Sequence, residues 1–234
     1  MCRGLLGGCS GHCNSQSPHH RERRNIWTPE DEDVLQYCDG VFDIYFVFDA
    51  SKTTLDWDML CSCWEDMVEK YLNPRVRMSF IVFSTKATVK MYLTSDRFRI
   101  SYQLQRLMQT PVAGEANLHE GLKEANDQIA GANFGAARVS SMIIALLSGP
   151  LTPDALNQTM VEVERARRMG TYMYSVGIYG SDAFQLAAIA DSPEHMFRVR
   201  GTPTDLHAVV DNIGTSACLE LRAVQPSPLC TSES

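Results

Sequence analysis

The segment Asp49-Ala50-Ser51-Lys52-Thr53 sets a carboxylate and two hydroxyls at two-residue spacing. On one side of a turn, that spacing offers three oxygen donors to a hard cation such as Mg²⁺. The same residue types also serve as turn and helix N-cap groups, so the segment alone leaves both readings open. A second short polar segment, Ser148-Gly149-Pro150, follows another apolar run. Two other chemistries fit less well. Dinucleotide binding needs a Gly-x-Gly-x-x-Gly turn, and no glycine falls between Gly40 and Gly114. A phosphohydrolase built on Asp-x-Asp-x-Thr would use Asp49 as nucleophile, with Thr53 in place, but Ser51 stands where the general acid belongs. It is the enzyme alternative. Cys9, His12, Cys13, His19 and His20 are zinc-type donors without a matching second pair, so they read as an uncoordinated tail. His119-Glu120 has no accompanying nucleophile and reads as a packing or solvent-facing pair.

Both polar segments sit at the ends of buried strands. Ile44-Tyr45-Phe46-Val47-Phe48 and Met142-Ile143-Ile144-Ala145-Leu146-Leu147 are continuous apolar runs, the pattern of strands covered on both faces of a parallel sheet. Further strands are predicted over 78–83, 88–93, 172–178 and 196–200. Helical spacing predicts helices over 56–72, 97–109, 118–130, 153–169, 183–190 and 205–213. The four-residue linker Ser84–Ala87 is short enough for a hairpin, which makes the third strand an antiparallel edge. Strand and helix alternate after it. The fold class is therefore α/β: a doubly wound, mostly parallel six-stranded sheet with one antiparallel edge strand and helices on both faces. In such a sheet ligands bind beyond the carboxyl ends of the strands where strand order reverses, so the loops after Phe48 and Leu147 should share one crevice.

Bulk properties narrow the function classes. The chain has 234 residues, 44% hydrophobic, with a formal net charge of −7, which disfavours a nucleic-acid footprint. No stretch is long and apolar enough to span a bilayer or to form a signal-peptide core. Residues 1–37 lack apolar periodicity and read as a disordered tail. Eight cysteines suit an oxidising compartment better than cytosol. Cys61 and Cys63, two apart on the first helix, read as buried thiols, and Asn157-Gln158-Thr159 is a glycosylation sequon if the chain is secreted.

Several segments resemble a von Willebrand factor A domain, and specifically the anthrax toxin receptor family. They are Phe42–Val47 through Asp49-x-Ser51, Arg77–Ser84, His119-Glu120-Gly121-Leu122, Ile143–Leu146 and Ile189-Ala190-Asp191-Ser192. The resemblance implies an A domain over 38–218, a disulfide joining Cys38 to Cys218, and the truncated start of an immunoglobulin-like domain over 219–234. It implies a monomeric, non-enzymatic, cell-surface or extracellular receptor module for adhesion, with an extracellular protein ligand such as a matrix protein or toxin. It also implies a metal-ion-dependent adhesion site holding Mg²⁺ or another divalent cation. Mapped onto this chain, that site keeps Asp49, Ser51 and Thr53, whereas Ala116 replaces the second-loop Thr and Ser148 the strand-four Asp. Lys52 stands where the family has Gly; its ammonium either extends into water and leaves a weak site, or pairs with Asp49 in the ion's stead. Lys52, Glu115, Asn117 and His119 are then the ligand-binding candidates. The expectation is weak or lost cation dependence. The alternatives are a metal-independent interaction module and a non-functional truncated receptor copy.

Overall fold

The computed structural model describes residues 42–52, 54, 75–133, 139–178, 180–199, 209, 212 and 213. The helix expected over 56–72, Thr53 and every cysteine, Cys38 and Cys218 included, lie outside the described residues. Of the helix expected over 205–213, residues 209, 212 and 213 are helical.

Chain order gives β1 (Phe42–Asp49), β2 (Val76–Phe83), β3 (Ala87–Thr94), α1 (Arg97–Leu107), α2 (Leu118–Ala132), β4 (Ser140–Leu147), α3 (Pro153–Arg168), β5 (Tyr172–Ile178), α4 (Ala183–Ile189) and β6 (Met196–Val199). The sheet order is β3-β2-β1-β4-β5-β6, with β3 antiparallel to β2 and the other pairings parallel. The mixed sheet and its antiparallel edge agree with the sequence reading. Local signals set the helix ends. Asp96 caps α1 by accepting from the N–H groups of Phe98 and Arg99 at 3.0 and 3.2 Å. Thr152 caps α3 with Pro153 in its first turn, and Gly170 follows that helix at φ +70°.

All eight residues of β1 are buried, because the strand is central and covered on both faces. Phe42, Ile44, Phe46 and Phe48 share one face with Ile100, Leu104 and Leu107 of α1. Tyr45 and Val47 join residues of α2, α3 and α4 on the other. Gly121 lets α2 approach that face closely: a Cβ there would lie 2.6 Å from Val47 Cγ1 and 3.2 Å from Phe83 Cβ. Gly121→Ala is expected to cost about 1–3 kcal/mol through overpacking, seen as a lower urea midpoint at an unchanged slope. An unshifted midpoint would show that the helix relaxes freely at this contact.

Candidate functional site

The reversal of strand order falls between β1 and β4, and there the two loops meet. Asp49 ends β1 with a carboxylate that is 1% exposed. Its Oδ1 accepts from Ser51 N at 2.9 Å and its Oδ2 from Ser148 N at 2.9 Å. Burial pushes this carboxyl above its ordinary range, against the opposing effect of the Ser51 and Ser148 hydrogen bonds. After Asp49 the chain turns sharply: Thr54 N donates to Ser51 O at 3.0 Å and Thr54 Oγ1 to Asp49 O at 2.8 Å. Ser148 is buried, and its Oγ has no hydrogen-bond partner.

A third loop, 112–117, is laced to the first two. Lys52 N donates to Gly114 O at 3.0 Å and Ala113 N to Ala50 O at 2.9 Å. Gly114 holds φ +88°, and a Cβ there would lie 2.4 Å from Thr85 Oγ1, so both conformation and space demand glycine. Thr85, in the β2–β3 turn, accepts from Glu115 N at its Oγ1 (3.1 Å) and from Asn117 Nδ2 at its carbonyl (3.1 Å). Thr85 and Gly114 carry no chemical signature in the sequence. Only the hairpin length and a lone glycine between two helices hint at them.

Among the four ligand-binding candidates, Lys52 and Glu115 stand exposed at the mouth and form an ion pair with each other. Of the two placements expected of Lys52, the outward one is found, and the pairing with Asp49 is not. Lys52 reaches outward to Glu115, because the aliphatic stem lets the ammonium stay in water while Asp49 already has buried N–H donors. The side-chain amide of Asn117 is engaged by Thr85. His119 is set back in α2, its Nε2 3.9 Å from Glu120 Oε1, while Glu120 also takes Lys86 at 2.9 Å.

Whether these residues fit a dication turns on the donor set. Asp49 is the one carboxylate from the implied set, and both of its oxygens already accept backbone N–H groups. Ser51 and Ser148 add neutral hydroxyls, whereas Ala116 has no side-chain oxygen. A hard cation with six or more oxygen positions is held by charge count and ligand number. Among the described residues the set offers one charge and two neutral hydroxyls, fewer than a tightly held ion uses, and Thr53 lies outside them. Among the described residues no cluster of three histidine, cysteine, aspartate or glutamate side chains is placed to hold one. The same geometry disfavours Asp49 as a nucleophile, because its oxygens are buried and occupied.

A family model for the von Willebrand factor type A domain matches residues 43–212. Among solved structures, the chain is similar to proximal thread matrix protein 1 of the mussel byssus, solved with a zinc-occupied metal-ion-dependent adhesion motif. That match has 22% identity and a TM-score of 0.65, and it covers 77% of this chain and 46% of that one. The vWF domain of the type V pili tip protein Mfa5 from Porphyromonas gingivalis matches at 14% identity and TM-score 0.65, over 80% and 98% of the two chains. The pilus adhesin SpaC of Lactobacillus rhamnosus GG matches at 13% identity and TM-score 0.66, over 78% and 31%. At these identities the likeness is one of fold. The chain spans less than half the length of the mussel protein.

Proposed function

The chain belongs to the von Willebrand factor type A domain family, and on that premise we propose that it is a receptor-type adhesion module. It takes an extracellular protein ligand at the β1–β4 crevice without relying on a divalent cation. The observation that carries this reading is the exposed Lys52–Glu115 pair at the mouth of a crevice whose carboxylate, Asp49, is buried and hydrogen-bonded. In place of an ion that bridges protein and ligand, the mouth offers one cation and one anion on loops fixed by backbone hydrogen bonds. Such a pair is worth little to stability at this exposure and is free to exchange partners with a ligand's own charges. The reading is non-enzymatic. The narrower likeness to anthrax toxin receptors, the extracellular location and the Cys38–Cys218 disulfide belong to the same proposal.

Binding of the chain to immobilised collagen and to protective antigen, with and without chelator, tests it. One of the two is expected to bind equally in EDTA and in Mg²⁺. Lys52→Glu and Glu115→Lys are each expected to weaken that binding about fivefold or more. Binding abolished by EDTA and restored by Mg²⁺ would sink the metal-independent reading. Indifference to both charge reversals would remove the site.

A further inference from the structure

A cavity of about 360 Å³ opens between the edge strand β3 and the C-terminal half of α1. Val89 and Leu107 supply its apolar lining, Lys90 and Arg106 its cations. Thr110, also in the lining, has a buried Oγ1 with no hydrogen-bond partner. Lys90 lies there because β3 bulges. Ile81 pairs with Val89 and Phe80 with Met91, so Lys90 is an extra residue opposite no partner in β2. A bulge and a lysine on an edge strand also discourage pairing with another strand, so a partner here would be held through side chains.

The surroundings are unusual for this molecule. Residues 75–110 carry seven arginines and lysines and a single acid, Asp96, in a chain whose formal net charge is −7. Arg77 is engaged by Asp43 and Lys86 by Glu120. No carboxylate among the described residues faces Lys90 or Arg106 within ion-pair distance. Arg106 instead donates to Tyr102 Oη at 3.2 Å and lies over that ring. Large apolar groups are exposed beside these cations: Tyr92 (64%) two residues along from Lys90, Tyr102 (55%) one turn from Arg106, and Met108 next to Leu107.

We propose that this cavity is a second docking site, separate from the β1–β4 crevice, for an acidic segment of a partner protein. A glutamate or aspartate side chain would enter between Lys90 and Arg106, with its apolar neighbours on Tyr92, Tyr102 and Met108. Charge complementarity fixes the anion, and the unpartnered Thr110 hydroxyl gives the carboxylate a neutral donor. The flanking aromatic groups favour a peptide over a sulfated sugar or an inorganic anion, which lack apolar side chains to cover them.

The test titrates the full chain against a labelled, end-capped peptide of alternating glutamate and leucine. Its glutamine counterpart and a heparin hexasaccharide serve as comparators, and fluorescence anisotropy is the readout. Saturable binding below about 1 mM is expected at low salt, weakening as salt rises. The glutamine peptide and the Lys90→Glu/Arg106→Glu variant should each lose about tenfold or more, and Tyr92→Ala/Tyr102→Ala severalfold. Arg168→Glu, an exposed charge on α3, should change nothing. Circular dichroism checks folding, with Lys90→Gln/Arg106→Gln as the milder substitute. The proposal is overturned by absent saturation, by equal binding of the two peptides, by indifference to the charge variants, or by tighter binding of heparin that ignores the tyrosine substitutions.

Discussion

Ser148→Asp together with Ala116→Thr is expected to give a crevice that saturates with Mg²⁺ below about 1 mM, in the range of weak extracellular cation sites, where the parent chain is expected not to saturate. Position 148 is where a second carboxylate has the largest effect. Its backbone N–H already sits 2.9 Å from Asp49 Oδ2, and its buried Oγ is unpartnered. An aspartate there brings two carboxylates into one dry site, where like charges raise each other's proton affinity and destabilise the fold until a cation joins them. The double variant should therefore melt below the parent in EDTA and recover in excess Mg²⁺. At about a hundredfold over the dissociation constant the recovery is worth about 2.7 kcal/mol. Calorimetric titration and thermal unfolding read the two effects separately. A melting temperature that ignores Mg²⁺ would refute this account of why the natural donor set falls short. Adding Lys52→Gly should contribute little, because that ammonium pairs with Glu115 and does not occupy the crevice.

The contrast between Lys52 and Ser148 shows how far the sequence reaches. Apolar runs such as Ile44–Phe48 and Met142–Leu147 point to buried parallel strands, because they are short for a helix, rich in β-branched or aromatic residues and followed by polar turns, and both are strands in the structure. The hairpin at Ser84–Ala87 and the alternation after it give the antiparallel edge and the doubly wound class, and the structure adds the strand order β3-β2-β1-β4-β5-β6. That order brings Asp49 and Ser148, 99 residues apart, into hydrogen-bond contact. Burial is thus legible, since periodicity encodes it directly.

The direction of a long charged side chain is not legible in this way. Lys52 has four rotatable bonds, and a cation beside a carboxylate in sequence leaves open whether the two pair or the lysine extends into water. The fold gives Asp49 two N–H donors first, and Lys52 finds Glu115, 63 residues away. Loop lacing is hidden for a related reason. Thr85 and Gly114 act through one hydroxyl, one carbonyl and one positive φ, and none of these has a periodic signature. The β3 bulge is likewise invisible in the alternating pattern of 87–94, yet it decides that Lys90 lines the cavity beside α1.

At the far end of β1, Arg77→Ala is expected to be the costliest single charge deletion among the described ion pairs. Asp43 and Arg77 are register partners on β1 and β2. The guanidinium grips the carboxylate in a fork, Nε to Oδ1 at 2.7 Å and Nη2 to Oδ2 at 2.6 Å. Asp43 is 2% exposed, and burial holds its carboxyl above the ordinary range even though Arg77 pulls the other way. The same burial, helped by the Asp43 charge, pushes the Tyr45 phenol up as well. Deleting Arg77 leaves a buried carboxylate without its counter-charge. Such losses reach about 3–5 kcal/mol in fully buried pairs, and the partial exposure of Arg77 lowers the expectation to about 2 kcal/mol. For a domain of this size that is about 4–8 °C in melting temperature. The pH dependence has a definite sign. A carboxyl whose folded pKa is raised contributes stability at low pH that is lost as pH rises through the folded value. Removing Arg77 raises that value further, so the cost of Arg77→Ala should be greatest near neutrality and shrink as Asp43 takes up its proton. Asp43→Asn in the Arg77→Ala background should recover much of the neutral-pH loss. Thermal unfolding of both variants and the parent at pH 7 and pH 5 decides it: a penalty that is the same at the two pH values, or that Asp43→Asn leaves untouched, would mean that Arg77 stabilises the strand pair through its aliphatic packing and not through the buried charge.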